Sequence, residues 1–258
     1  MKVSVIVLSR NSSEHIDRAI VSLLNQHYYD MEVIVVDNFS TDGTRERVEP
    51  LVDLVLLKGP ERTAQANYGI SKARGEMIYL TASDMTRDYD FIKECVDKIR
   101  EGYDAIYMSV RTDKDVKHFW GRVKALERES YIGTYLESAR FFRKDVWEKL
   151  GGFNEDMIAM EEDFQHRLDS NGYITGRIRS REYHLHEDDS LIRIFRKAFY
   201  YGKYQRAYLW KHKLRGLKQL NPARPNLKLF LEHPRLLGGL IIYKLVQYIG
   251  GGLGLLCG

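Results

Sequence analysis

The chain has 258 residues, is 44% hydrophobic, and carries 40 basic and 36 acidic side chains for a formal net charge of +4. That size and composition exclude a disordered chain and a small disulfide-stapled scaffold, and they allow one substantial core with an appendage. Only two cysteines occur, Cys95 and Cys257, which points to a reducing compartment rather than a disulfide framework.

Met1-Lys2 is followed at once by the apolar run Val3–Leu8, too short for a signal-peptide core and bounded by polar Ser9-Arg10-Asn11. It reads as a buried strand over 2–8. In a reducing compartment the glycosylation sequons at Asn11 and Asn38 go unused. Further strands are expected at 32–36, 53–57, 77–81 and 104–109, separated by amphipathic helices near 12–26, 42–50, 62–74 and 89–101. The strands are continuous apolar runs rather than in-out alternations, as parallel strands covered on both faces require. Strand–helix–strand repetition at this spacing implies right-handed crossovers in one Rossmann-like, mostly parallel α/β sheet flanked by helices. Beyond 110 the pattern predicts a helix at 116–131, a strand at 138–143, a Gly151-Gly152 turn, a helix at 160–171 and a strand near 181–186. The natural divisions are a first half at about 1–110, a second at about 111–189, and an extension over 190–258.

That extension opposes the body in charge. Residues 190–235 hold twelve Lys/Arg against the single acid Glu232, whereas residues 1–189 hold 27 basic and 35 acidic side chains. A basic, Tyr-rich helix is expected at roughly 190–214, carrying Phe195, Phe199, Tyr200, Tyr201, Tyr204, Tyr208 and Trp210. Pro222, Pro225 and Pro234 then lead to an apolar stretch at 236–256 with six glycines, interrupted by Lys244 and Gln247. Tyr and Trp favour the headgroup level of a bilayer, and Lys and Arg favour its anionic surface. An interfacial amphipathic helix is the preferred reading of 236–256, with Lys244, Gln247 and Gly251 on one stripe; a marginal span ranks second and a core helix third. Nucleic acid is set aside as a partner because no recognisable module accompanies the charge.

Ligands on doubly wound sheets bind at the carboxyl ends of the strands. There the chain places Ser9-Arg10-Asn11, Asp37–Thr44, Arg62–Asn67 and Ala82-Ser83-Asp84. No G-x-G-x-x-G follows the first strand, which excludes the dinucleotide fingerprint. Asp37 alone also reads as a turn residue, Arg62 and Asn67 as the start of a solvated helix, and Glu161-Glu162-Asp163 as an acidic first helical turn.

Val3–Asn11, Val35-Val36-Asp37-Asn38-Phe39-Ser40-Thr41-Asp42-Gly43-Thr44 and Gly75–Leu80 resemble the opening of family-two glycosyltransferases of the GT-A fold. Gly151–Glu155, Glu162-Asp163 and Arg167-Leu168 resemble their acceptor-side segment, and the similarity covers about residues 1–215. The resemblance implies that Asp37 contacts the nucleotide, with Ser9, Asn11 and Ser83 lining the same pocket and Arg62 and Asn67 beside the base or diphosphate. It implies Mg²⁺ or Mn²⁺ as cofactor. The family's D-x-D falls on Ala82-Ser83-Asp84, so its first Asp is missing and Asp84 remains, with His184 (or His186) as the second ligand. It further implies Asp163 as general base, with Glu162 as the fallback, and inversion at the anomeric carbon. The implied activity is metal-assisted transfer from a nucleotide-sugar donor to a glycan or lipid-linked acceptor, by a cytoplasmic protein held at the membrane surface through 190–258. A non-catalytic nucleotide- or glycan-binding subunit is the alternative raised by Ala82. Nucleotidyl transfer ranks last, because no Gly-rich, basic loop follows the first strand.

Overall fold

The computed structural model describes residues 1–134, 137–157, 159–187, 190–204 and 227–257. The chain divides into two compact units. The first comprises Met1–Ser109, Ser138–Glu155 and Met160–Tyr183; the second comprises Val110–Glu137, Asp156–Ala159 and His184–Gly258.

Four apolar runs build the parallel part of the first unit: β1 (Val3–Ser9), β2 (Met31–Asp37), β3 (Leu54–Leu57) and β4 (Met77–Ala82). Val3 is in register with Met31 on one side and Met77 on the other, and every residue of β1 is buried. The first three crossovers run through α1 (Ile16–Leu24), α2 (Thr44–Val48) and α3 (Arg62–Lys72). A short strand β5 (Met85–Arg87) and α4 (Phe91–Arg100) then lead to β6 (Ala105–Tyr107). After the chain's passage through the second unit by β7 (Val110–Thr112) and α5 (Phe119–Glu129), β8 (Ala139–Arg143) returns antiparallel to both β4 and β6. α6 (Lys144–Lys149) and α7 (Met160–Ser170) follow, then β9 (Thr175–Arg177), parallel to β6, and β10 (Glu182–His184). The main sheet therefore has the order β3-β2-β1-β4-β8-β6-β9.

One face of this sheet buries Ile6, Ile34, Val36, Ile78, Leu80 and Phe142 against α3 and α7, where Ala66, Ile70, Phe164 and Leu168 point inward. α3 lies close because Gly69 has no side chain. A Cβ there would stand 2.7 Å from the Cγ2 atoms of both Ile6 and Val36. The four expected parallel strands and the helices between them lie where periodicity puts them. The 104–109 run shortens to β6 and does not neighbour β4, because the antiparallel β8 separates the two. An apolar run specifies burial, not direction, so this insertion carries no sequence signal.

In the second unit, residues 191–204 form α8, followed by α9 (Leu227–Leu231) and α10 (Pro234–Cys257). The expected basic helix is thus seen to 204, and Tyr208, Trp210, Pro222 and Pro225 lie outside the described residues. Val123 and Leu126 of α5 meet Ile194, Phe230, Leu236, Leu240 and Tyr243 in one core. Because α5 packs on α10, residues 110–137 belong with the C-terminal helices rather than with the body, a division different from one drawn at 189.

The glycines of α10 serve close packing. A Cβ on Gly250 would stand 2.8 Å from the Phe195 carbonyl oxygen and one on Gly254 2.1 Å from that of Phe199, so α8 rests nearly backbone to backbone on α10. Lys244 takes the opposite disposition from the expected polar outer stripe. It is buried and ion-paired with Glu127 of α5, and its Nζ lies 3.1 Å from the Tyr131 hydroxyl and 3.2 Å from Gln247 Oε1. Ile241, Ile242, Leu245, Ile249, Leu253 and Leu256 are exposed instead. Glu127 attracts the ammonium inward, and the apolar residues take the outer face. Among the described residues α10 is the one helix long and apolar enough to cross a membrane, and 28% of its most apolar window is buried.

Candidate active site

In the first unit the loops after β1, β2, β3 and β4 are stitched together at the carboxyl edge of the sheet. Ser12, beyond β1, hydrogen-bonds Ser83, beyond β4, hydroxyl to hydroxyl at 2.7 Å. The Ser12 N–H donates to Thr44 Oγ1 and the Ser13 N–H to Asp42 Oδ2, at 2.8 and 3.0 Å. Asn11 adopts a left-handed backbone with φ of 46°. This turns its N–H onto Ser40 Oγ at 2.8 Å and its side-chain oxygen toward the Thr41 N–H at 3.0 Å. Asn38 donates to the Pro60 carbonyl at 2.6 Å, joining the β2 and β3 loops.

Asp37 ends β2 almost wholly buried and accepts from the Ser40 N–H at 2.8 Å and the Ser40 hydroxyl at 2.5 Å. It therefore shapes the loop as a turn residue while standing at the sheet edge. Ser9 ends β1, and its buried hydroxyl makes no hydrogen bond among the described residues. Gln65 of α3 reaches under both strands, donating to the carbonyls of Ser9 and Val36 at 3.2 and 2.8 Å. The Asp42 carboxylate accepts from the Thr44 hydroxyl and from the Ser13 N–H, and these bonds hold it well below the usual carboxylate range.

The other expected residues divide. Arg62 opens α3 at the same edge and forms an ion pair of 2.7 Å with Glu161, which brings the first turn of α7 there. Asn67, one turn further along α3, is committed to the Gly151-Gly152 turn. It donates to the Phe153 carbonyl and to Glu155 Oε1, both at 2.9 Å, and accepts from the Phe153 N–H at 3.0 Å. Gly152 needs its φ of 77° there, with Trp147 3.1 Å from a would-be Cβ. Asp163 has no solvent exposure. It accepts from Arg167 Nε at 2.8 Å, and Arg167 Nη1 donates to the Leu150 carbonyl at 2.6 Å. Glu162 is half-buried beside it. Of the acidic triplet, Glu161 is the member that local spacing did not single out. Its partner lies 99 positions earlier in the chain, so no short-range pattern could reveal it.

Another acid without a short-range sequence signal lies wholly inside the first unit. Glu182 of β10 is fully buried, ion-paired with Arg140 and bonded to the hydroxyls of Tyr79 and Thr81. Burial raises the Tyr79 phenol well above its ordinary value. Asp84 occupies the turn between β4 and β5 in the first unit. His184 belongs to the second unit, where its carbonyl accepts from the Asp113 N–H at 2.8 Å and its Nδ1 faces the His186 carbonyl. Glu187 lies 4.0 Å from His184 Nδ1 and pairs with Arg128 at 2.6 Å. Burial alone would raise the Glu187 carboxyl, and Arg128 and His184 outweigh it and hold the group below its ordinary value.

The chain is similar to known proteins in sequence and in fold. Residues 4–200 match the family described as Glycosyl transferase family 2. The chain belongs to glycosyl transferase family 2. Among its curated relatives is the Campylobacter jejuni GalNAc(5)-diNAcBac-PP-undecaprenol beta-1,3-glucosyltransferase, 26% identical over 217 residues, covering 76% of this chain and 66% of that protein. The succinoglycan biosynthesis protein ExoO of Rhizobium meliloti is 31% identical over 159 residues, 55% of this chain and 44% of its own length. The chain thus spans less than two thirds of the length of these relatives. A mannosyltransferase from Pyrobaculum calidifontis, solved with GDP-Man and Mn²⁺, superposes with a TM-score of 0.59 at 20% identity, covering 94% of this chain and 73% of that one. Staphylococcus aureus TarS 1–349 with UDP-GlcNAc gives 0.56 at 18% identity, over 99% and 90%. The chain shares with these structures the GT-A-like architecture of a mostly parallel sheet flanked by helices.

Proposed function

We propose that this chain transfers a sugar from a nucleotide-sugar donor to a membrane-proximal glycan or lipid-linked acceptor, with inversion at the anomeric carbon. The carrying observation is the stitched sheet edge, where four strand-end loops and the acidic turn of α7 meet around Asp37, Ser9 and Arg62. Ser9, Asn11, Asp37 and Ser83 line the nucleotide pocket in this reading. The buried Ser9 hydroxyl is a donor suited to a ligand oxygen, and Arg62 supplies positive charge for the diphosphate.

Asp84 and His184 are the proposed metal ligands. A carboxylate and an imidazole, completed by diphosphate oxygens, suit Mn²⁺ and accept Mg²⁺ less well, since imidazole is the softer donor. When bound, the ion would offset negative charge on the diphosphate. Ala82 leaves only one carboxylate of the D-x-D segment, and in this reading His184 supplies the second protein ligand.

In an inverting transfer the acceptor hydroxyl gives up its proton to a carboxylate on the face opposite the leaving group. Within the triplet, full burial and the bond to Arg167 suit Asp163 to holding α7 against the Gly151-Gly152 turn. Glu161, ion-paired to Arg62 at the sheet edge and partly exposed, is the better-placed base, with Glu162 next.

The named relative with a polyprenyl diphosphate-linked acceptor, together with the exposed apolar face of α10 and the basic 190–235 segment, supports a lipid-linked acceptor at the cytoplasmic membrane face. The test is turnover by the purified full chain with Mn²⁺ and nucleotide sugars. Glu161→Gln should abolish transfer with donor binding intact, while Asp163→Asn should lower stability and activity together. Unchanged turnover in Glu161→Gln removes that residue as base. Donor binding without any turnover by the wild type would favour the non-catalytic reading that Ala82 raises.

A further inference from the structure

The second unit holds a recess of about 410 Å³ between the first turn of α5 and the α9–α10 elbow, lined by Phe119, Arg122, Glu232, His233, Arg235 and Leu236. It lies outside the nucleotide site, which is built in the first unit. Two guanidinium groups face it against one carboxylate, and neither Arg122 nor Arg235 has a side-chain ion pair among the described residues. Arg235 also sits in the first turn of the 24-residue α10, where the helix dipole adds positive potential. A recess with surplus positive charge, an imidazole donor and two apolar walls fits a phosphate carried on a hydrocarbon.

What continues from the recess decides the occupant. α10 leads away from it and presents Ile242, Leu245, Ile249, Leu253 and Leu256, spaced three or four residues apart along one stripe, all at least 45% exposed. Such a stripe of apolar side chains, about 20 Å long at 1.5 Å per residue, matches a helix lying in a bilayer interface. α8 of the same unit adds exposed Arg193, Arg196, Lys197 and Lys203 with half-exposed Tyr200, Tyr201 and Tyr204, the residue types that favour an anionic headgroup layer.

We propose that this recess is a seat for the phosphate of an anionic phospholipid, which docks the second unit on the membrane with Arg122 and Arg235 around the headgroup and the α10 stripe in the acyl boundary. The inference deepens the membrane-facing part of the proposed function and is independent of the sugar chemistry.

The test is sedimentation of the full chain with phosphatidylcholine vesicles, with and without phosphatidylglycerol. Arg122→Gln/Arg235→Gln should weaken partition onto the anionic vesicles about thirty-fold, the equivalent of about 1 kcal/mol for each arginine, and leave neutral vesicles unaffected. Arg122→Lys/Arg235→Lys should retain most of the binding. Arg45→Gln/Arg47→Gln, which removes the same charge from α2, should change it little. An equal loss in that control, or none in the recess variant, overturns the seat. Wild-type protein that ignores both vesicle types overturns the seat and the membrane reading together, whatever its transferase activity. Arginine dependence confined to neutral vesicles carrying a polyprenyl phosphate would overturn the phospholipid assignment in favour of the acceptor lipid.

Discussion

Glu127→Gln should loosen the C-terminal half of the molecule. The Glu127 carboxylate, 1% exposed, binds the Lys244 ammonium, the Lys124 ammonium at 2.7 Å and the Tyr131 hydroxyl at 2.7 Å. Amidation removes the Glu127 counter-charge from the Lys244 ammonium, whose side chain is nine-tenths buried. Lys124, 27% exposed, can turn to water. Removing one partner of a buried pair costs about 3–5 kcal/mol, and the relief at Lys124 places this site near 3. At roughly 2–4 °C per kcal/mol for a chain of this size, thermal unfolding at pH 7 should begin about 6–12 °C lower. Glu127→Leu/Lys244→Met, which removes both charges, should be more stable than Glu127→Gln alone. The pH dependence has a definite sign. Burial alone would raise the Glu127 carboxyl, but Lys124 and Lys244 outweigh it and hold the group well below the usual carboxylate range. Its stabilisation is therefore complete above the unfolded value of about 4.3 and fades as pH falls below it. The wild type should lose melting temperature in that acid range faster than Glu127→Gln does. A Glu127→Gln protein melting within about 2 °C of wild type at pH 7, or a double variant weaker than the single, refutes the reasoning.

Gly69→Val should destabilise the first unit by about 1–3 kcal/mol, read by urea unfolding, because the new side chain enters the space of Ile6 and Val36. Gly254→Leu should separate α8 from α10 and raise protease cleavage near 191–204, since its Cβ has no room beside the Phe199 carbonyl. Asp84→Ala should raise the Mn²⁺ concentration needed for half-maximal transfer by at least about ten-fold, judged against the cost of a lost metal-ligand contact. An unchanged metal titration would remove Asp84 from the coordination shell.

The parallel part of the first unit was legible because it is local and periodic. β1, β2 and β4 are seven-, seven- and six-residue, mostly apolar strands, and polar residues at the sheet edge end β1 and β2 and follow β4 directly. The parts that were not legible depend on long-range pairing. β8 enters the sheet antiparallel, and nothing in Ala139–Arg143 encodes direction. Asp163 and Glu161 are two positions apart in one acidic turn, yet one faces Arg167 inward and the other meets Arg62 across the fold. Lys244 looked like the solvent side of an amphipathic helix until Glu127, 117 positions away, supplied a buried partner. The family resemblance gives Asn67 a nucleotide contact, and nothing local in the sequence foretells its three bonds to Phe153 and Glu155, which tie α3 to the turn after α6.

The account stands or falls on whether the sheet edge receives a nucleotide. Thermal unfolding of the full chain should be followed with UDP-, GDP- and dTDP-sugars, with and without Mn²⁺, beside an Asp37→Ala variant. One nucleotide class should stabilise the wild type saturably, more so with Mn²⁺, and leave Asp37→Ala unshifted. No shift with any of them, or an equal shift in the variant, would contradict it.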